Sequence, residues 1–186
     1  MTIRQVAPPA LLAVTLGDAR AALRLDDDDT AFDMQLSIWI AGITQEAEHA
    51  TGRCFVNRPM RVTLDAFDGA VRLASPTFSV ESVKFLDASG VLQTLDPAHW
   101  DDDLASEPGF VVPALGYTWP ATSARINSVT VDFTAGYGDD AMTVPPAAKN
   151  YVLARLIEQW DPVVKEFKES PKSRFLDRLL DCLKVY

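Results

Sequence analysis

Two histidines and two cysteines in 186 residues leave little material for most side-chain chemistry. Proton transfer and nucleophile activation lean on histidine, and neither His49 nor His99 stands in a recognisable catalytic motif. Cys54 and Cys182 lie far apart, outside any C-x-x-C or metal-ligand spacing, so reduced thiols are expected. Gly136-Tyr137-Gly138 lacks the third glycine and the lysine of a phosphate-binding loop and reads as a turn. No apolar run approaches the roughly 20 residues of a membrane span. The opening, Met1 to Ala13, also lacks the charged-then-apolar layout of a signal peptide, so a chain that folds in the cytoplasm and meets no membrane is expected. Internal repeats and low-complexity segments are lacking as well.

Metal chemistry finds no better footing. Glu46-x-x-His49 on a helix resembles half of a carboxylate-bridged di-metal site, but such a site needs a second copy and two further glutamates, and the chain has no second copy. The runs Asp26–Asp29 and Asp101–Asp103 offer oxygen ligands without the D-x-D-x-D-G loop and distant glutamate of a calcium site. They read as a cluster at a helix start and as a solvated loop. The expectation is therefore no catalytic residue, no cofactor and no metal.

What the chain does have is an ordinary globular composition, with 48% apolar and 23% charged residues. Its length suits one structural unit. The net charge of −9 argues against affinity that depends on neutralising DNA phosphates. Residues 1–160 carry 11 Lys/Arg against 21 Asp/Glu, whereas residues 161–186 carry 6 against 5, so the acidity belongs to the body and the tail is nearly balanced.

Periodicity supplies the elements. After a leader closed by Pro8-Pro9 and expected to be loose, Thr15 and Asp18 form a capping box that opens a short helix carrying Ala19, Ala22 and Leu23. From about Thr30 to Thr51, Phe32, Leu36, Trp39, Ile40, Ile43, Ala47 and Ala50 recur at helical spacing, with Gly52 as the stop and Gln45, Glu46 and Glu48 near solvent. The period then becomes two: Met60, Val62 and Leu64 alternate with Arg61, Thr63 and Asp65. Val71 and Leu73 lead into Pro76, and further strands are expected around Val83 and Phe85, at Val91–Leu95, at Phe110–Val112 and around Val129, Val131 and Phe133, while most of Asp96–Arg125 reads as loop. Pro145-Pro146 opens a helix to about Trp160 with Val152, Leu153, Leu156, Ile157 and Trp160 on its buried side. Trp39 and Trp160 are expected in the core, and Trp100 and Trp119 in the core or at a contact between subunits. Ser170-Pro171 opens a last helix whose Phe175, Leu176, Leu179, Leu180 and Leu183 form an apolar stripe. The expected class is α+β, a helical core from N- and C-terminal helices (residues 1–55 and 139–186) with a β-rich insertion (56–138).

Several strings in this order resemble the head–tail connector, or adaptor, family of tailed phages and gene-transfer agents. They are Leu16 to Leu25 followed by acids, Ala50-Thr51-Gly52-Arg53 closing the long helix, and Ser82-Val83 entering the Asp87-Ala88-Ser89-Gly90 turn. The series continues with Gln93-Thr94-Leu95-Asp96-Pro97, Tyr117 to Thr122, Val129 to Gly138, and the helix after Val144-Pro145. Together they span residues 15 to about 160, and the segment from 161 onward is longer than the family pattern. The resemblance implies a non-enzymatic virion protein, assembled in the bacterial host cytoplasm, that forms a ring, commonly of twelve copies, beneath the portal. DNA would pass through its lumen without specific binding. Its implied partners are further copies of itself, the portal protein, and a tail-side stopper or tail-completion protein. The alternatives are that the chain is itself a stopper or tail-completion protein, or a small enzyme or ligand-binding domain. The stripe Phe175, Leu176, Leu179, Leu180 and Leu183 is the expected partner-docking surface, with docking on its own subunit as the competing outcome.

Overall fold

A computed structural model of the chain describes residues 1–160 and 178–185. Among these it holds three α-helices and two antiparallel sheets, a mixed α+β fold. The strands are β1 (Thr2–Gln5), β2 (Arg58–Leu64), β3 (Val71–Arg72), β4 (Thr77–Leu86), β5 (Leu92–Thr94), β6 (Trp100–Asp103), β7 (Phe110–Pro113) and β8 (Val129–Ala135). The helices are α1 (Leu16–Leu23), α2 (Asp33–Thr51) and α3 (Pro146–Trp160). Two compact units result, one of Met1–Ala10 with Asn57–Tyr137 and one of Leu11–Val56 with Gly138–Tyr186.

In the first unit the larger sheet runs β1-β2-β8-β4-β5 and the smaller β3-β7-β6. β8 lies at the centre because its alternation is complete: Val129, Val131, Phe133 and Ala135 are buried and the residues between them are not. β2 pairs with it in unbroken register, Val62 against Val131, and β4 pairs on its other side, Val83 against Val131. Three fully buried valines thus stack across three strands, the cross-strand contact that fixes register. β4 carries two register shifts, between Thr77 and Ser79 and between Val80 and Ser82. Extra residues of this kind bend a strand and raise its twist.

The leader expected to be loose is instead β1, antiparallel to β2, with Val6 N–H reaching Pro59 O at 2.9 Å. All four β1 residues are exposed, so no alternation announces it. The run Asp101–Asp103, expected in a loop, is part of β6. It is an edge strand paired only with β7, where a charged side chain costs little on either side.

In the second unit Thr15 Oγ1 accepts from Asp18 N–H at 3.0 Å, which completes one half of the expected cap of α1. α2 starts at Asp33 rather than near Thr30, because Asp29 Oδ1 accepts from Ala31 N–H and holds the preceding residues in a turn. Arg20 then grips Asp33 with both carboxylate oxygens within 3.2 Å of its Nη1. α2 ends at Gly52 with φ 72°, a left-handed value open to glycine at little cost. Its buried side is Leu36, Ile40, Ile43 and Ala47, whereas Phe32 and Ala50 lie exposed. α3 packs on α2 and buries Ala148, Tyr151, Val152 and Leu156.

Candidate interaction surfaces

Three groups of side chains stand out, and each is held by local chemistry. On the polar face of the large sheet, Asp132 of β8 sits between β2 and β4. Arg61 Nε reaches it at 2.6 Å, Lys84 Nζ at 3.1 Å and Ser82 Oγ at 3.4 Å. Partial burial pushes the Asp132 carboxyl up, but the bonds and charges of Arg61 and Lys84 outweigh it and hold it below the usual carboxylate range. The cluster ties three strands together.

The second group supports the segment between β7 and β8. Phe67 stacks on Trp119 at 4.4 Å between ring centroids and meets Phe85 edge-on at 6.0 Å. Trp119 Nε1 donates to Gly69 O at 2.7 Å, so this tryptophan anchors its loop. His99 lies against Tyr117 at 4.3 Å. Around this anchor Leu115, Tyr117 and Ile126 remain exposed. At the end of β6 Asp103 is satisfied locally: Ser106 Oγ and the N–H groups of Ala105 and Ser106 all donate to it. The Ser106 hydroxyl is foremost in lowering its pKa.

The third group belongs to the helical unit. Trp160 meets Phe32 edge-on at 5.0 Å and Trp39 at 6.2 Å, and both tryptophans are half-buried rather than wholly enclosed. Glu46 accepts from Tyr151 Oη at 3.3 Å and Arg155 Nη2 at 3.2 Å. Its carboxylate is thus taken up in joining α2 to α3, and His49 is exposed. Among the described residues no three His, Cys, Asp or Glu side chains gather to hold a metal, Cys54 and Cys182 are not joined in a disulfide, and no helix is long and apolar enough to cross a membrane.

Of the expected docking stripe, Phe175 and Leu176 lie outside the described residues. Leu180 is 3% exposed, and Leu179 and Leu183 are half-buried. The end of the chain is fastened to the C-terminal end of α2: Val185 N–H donates to Thr51 O at 3.0 Å and Arg53 Nε to Leu183 O. These bonds were not legible beforehand, because they join residues 130 and 134 apart through backbone carbonyls.

What the reading of the sequence missed is a surface on α2 itself. Met34 is 80% exposed and Ile38 61%, and Ala41, Gly42 and Gln45 continue the same side of the helix in solvent. The signal was available. Residues 34–45 contain no charged side chain at all, although 23% of the chain is charged.

No protein-family model matches the chain, and no curated protein does. Solved structures do. This chain shares its fold with chains of gene-transfer-agent particles. A chain in the neck of an empty GTA particle, computed with C6 symmetry, superposes with a TM-score of 0.78 at 22% identity, covering 100% of this chain and 96% of that one. One in the virion of a native gene transfer agent gives 0.78 at 21%, and one in the neck of the native particle, computed with C12 symmetry, 0.73 at 22%, each with the same coverage. At this identity the likeness establishes a common fold over all of this chain and nearly all of the others.

Proposed function

We propose that this protein is a structural subunit of the neck of a tailed phage or gene-transfer-agent particle, a head–tail connector that assembles into a ring beneath the portal. The observation that carries the proposal is the end-to-end correspondence with chains seen in symmetric necks. A closed cyclic ring needs two different, complementary surfaces on each subunit. The acidic body suits a lumen through which DNA slides, since repulsion discourages phosphate contacts. A twelve-membered ring, the portal above it and a stopper or tail-completion protein below it belong to the same proposal.

The side chains support a structural role. The carboxylates of Asp132, Asp103 and Asp87, in three separate places, are each lowered in pKa by hydrogen bonds that brace strands and turns. A general acid working near neutral pH needs the opposite displacement.

In this proposal the stripe Phe175, Leu176, Leu179, Leu180 and Leu183 docks on the portal. Leu180 is buried within its own subunit, so among the described residues of the stripe Leu179 and Leu183 are the ones offered to that contact. The test is co-purification of the full chain, and of a Phe175→Glu/Leu176→Glu variant that keeps Leu180, with a portal protein from the same genome. Binding by the full chain and its loss in the variant, with the variant's melting temperature unchanged, supports the docking role. A full chain that ignores the portal and joins a tail component instead would point to the tail-completion alternative.

A further inference from the structure

The side of α2 opposite its buried stripe is built like the inside of an interface. Leu36, Ile40, Ile43 and Ala47 face the protein's own core, so a surface helix should present polar or charged residues on its other side. Instead Met34, Ile38 and Ala41 follow one another at helical spacing with Gly42 beside them, exposed, and nothing stands within 4 Å of where a Gly42 side chain would begin. A helix apolar on both sides is covered on both sides. The absence of charge from residue 34 to residue 45 names the kind of partner. Identical subunits of net charge −9 repel where like-charged surfaces approach, so a neutral patch is the place where copies meet at least electrostatic cost, and charged residues are depleted at interface cores. Met34 and Ile38 supply the apolar bulk of such a patch, and Ala41 and Gly42 permit close approach of the neighbouring backbone.

We infer that the exposed face of α2 formed by Met34, Ile38, Ala41 and Gly42 is one of the two surfaces through which a copy of this chain contacts the next copy. The inference rests on the ring reading above and adds to it the location of the contact. In a head-to-tail ring the face meets a different surface of the neighbour, not its own counterpart. A subunit damaged only here therefore keeps one working surface and ends a growing assembly.

The experiment uses the full chain with Ile38→Glu and, separately, Ile38→Lys, with oligomers measured by native mass spectrometry and analytical ultracentrifugation at high protein concentration and with portal protein present. Both variants are expected to keep the monomer's circular dichroism and melting temperature, because the side chain is exposed. Both should weaken self-association by at least roughly thirtyfold. Added in excess to wild type, either should convert rings into short, capped assemblies. The lysine variant separates the patch from net charge: lowering the subunit's negative charge strengthens association if repulsion alone governs it, and weakens it if residue 38 is buried between copies. Rings that form equally well from wild type and both variants would overturn the assignment of this face and leave the ring reading standing. Rings that survive while both variants lose melting temperature would mean that the chain's own segment covers the face, which also overturns it. A wild-type chain that never self-associates under either condition would overturn the ring reading and this inference together.

Discussion

Arg61 and Asp132 sit directly opposite each other in the β2–β8 register, 2.6 Å apart, and Lys84 closes on the same carboxylate from β4. One acidic side chain on the central strand thus holds both neighbouring strands on their polar side, while Val62, Val131 and Val83 hold them on the apolar side.

Asp132→Asn should therefore destabilise the protein by about 1 kcal/mol at neutral pH, a value kept small by the exposure of the partners and the screening it brings. The carboxyl's pKa is lower folded than unfolded, so its stabilisation is complete above the ordinary carboxylate range and disappears as pH falls through the lowered value. Urea unfolding of wild type and variant should differ at neutral pH, and the curves should converge as pH falls through the lowered carboxyl value. A difference that persists unchanged in acid would mean that the asparagine acts through packing.

Trp119 contributes through its ring and its N–H separately. Trp119→Phe should keep the stack on Phe67 but lose the bond to Gly69, at about 1 kcal/mol, and Trp119→Ala should cost more, since aromatic pairs add about 0.5–1.5 kcal/mol beyond simple burial. Midpoints of urea unfolding rank the two. Equal losses would show that the hydrogen bond alone matters.

The chain's end should stabilise its own helical unit. Leu180→Ala should lower stability by about 2–5 kcal/mol, the usual cost of emptying a buried leucine site. Leu183→Ala, at a half-buried position, should cost distinctly less. Thermal unfolding followed by circular dichroism compares them, and an unaffected Leu180→Ala variant would mean that the segment does not hold its place in solution.

Salt should promote assembly of the ring. Self-repulsion at −9 per subunit opposes packing many copies, and a Debye length that falls from about 10 Å at 0.1 M to about 3 Å at 1 M removes it. Native mass spectrometry across ionic strength should show larger species as salt rises. Oligomers that dissociate on adding salt would indicate ion pairs as the main contact.

The elements that declared themselves in the sequence are those whose two sides differ. β8 alternates without a break, and α1 carries its cap in Thr15 and Asp18. β1 and β6 were hidden because edge strands carry no such contrast: Thr2–Gln5 is exposed throughout, and Trp100–Asp103 holds three acids in a row. α2 was legible as a helix but not as a surface. Met34 and Ile38 fall outside the periodic stripe; the uncharged run 34–45 was the sequence signal for a second apolar side, and the exposure of both residues in the fold gives it meaning. Asp132 was passed over for a related reason. A single acid inside an alternating strand has no motif, and its meaning lies in Arg61 and Lys84, which are 71 and 48 residues away.

Cryo-electron microscopy of the purified chain mixed with its cognate portal protein tests the central claim most directly. A neck subunit should give a ring of this chain, with cyclic symmetry and most simply of twelve copies, stacked coaxially on the portal around an open channel. A chain that remains monomeric beside intact portals, or that binds them as isolated copies without closing a ring, would contradict it.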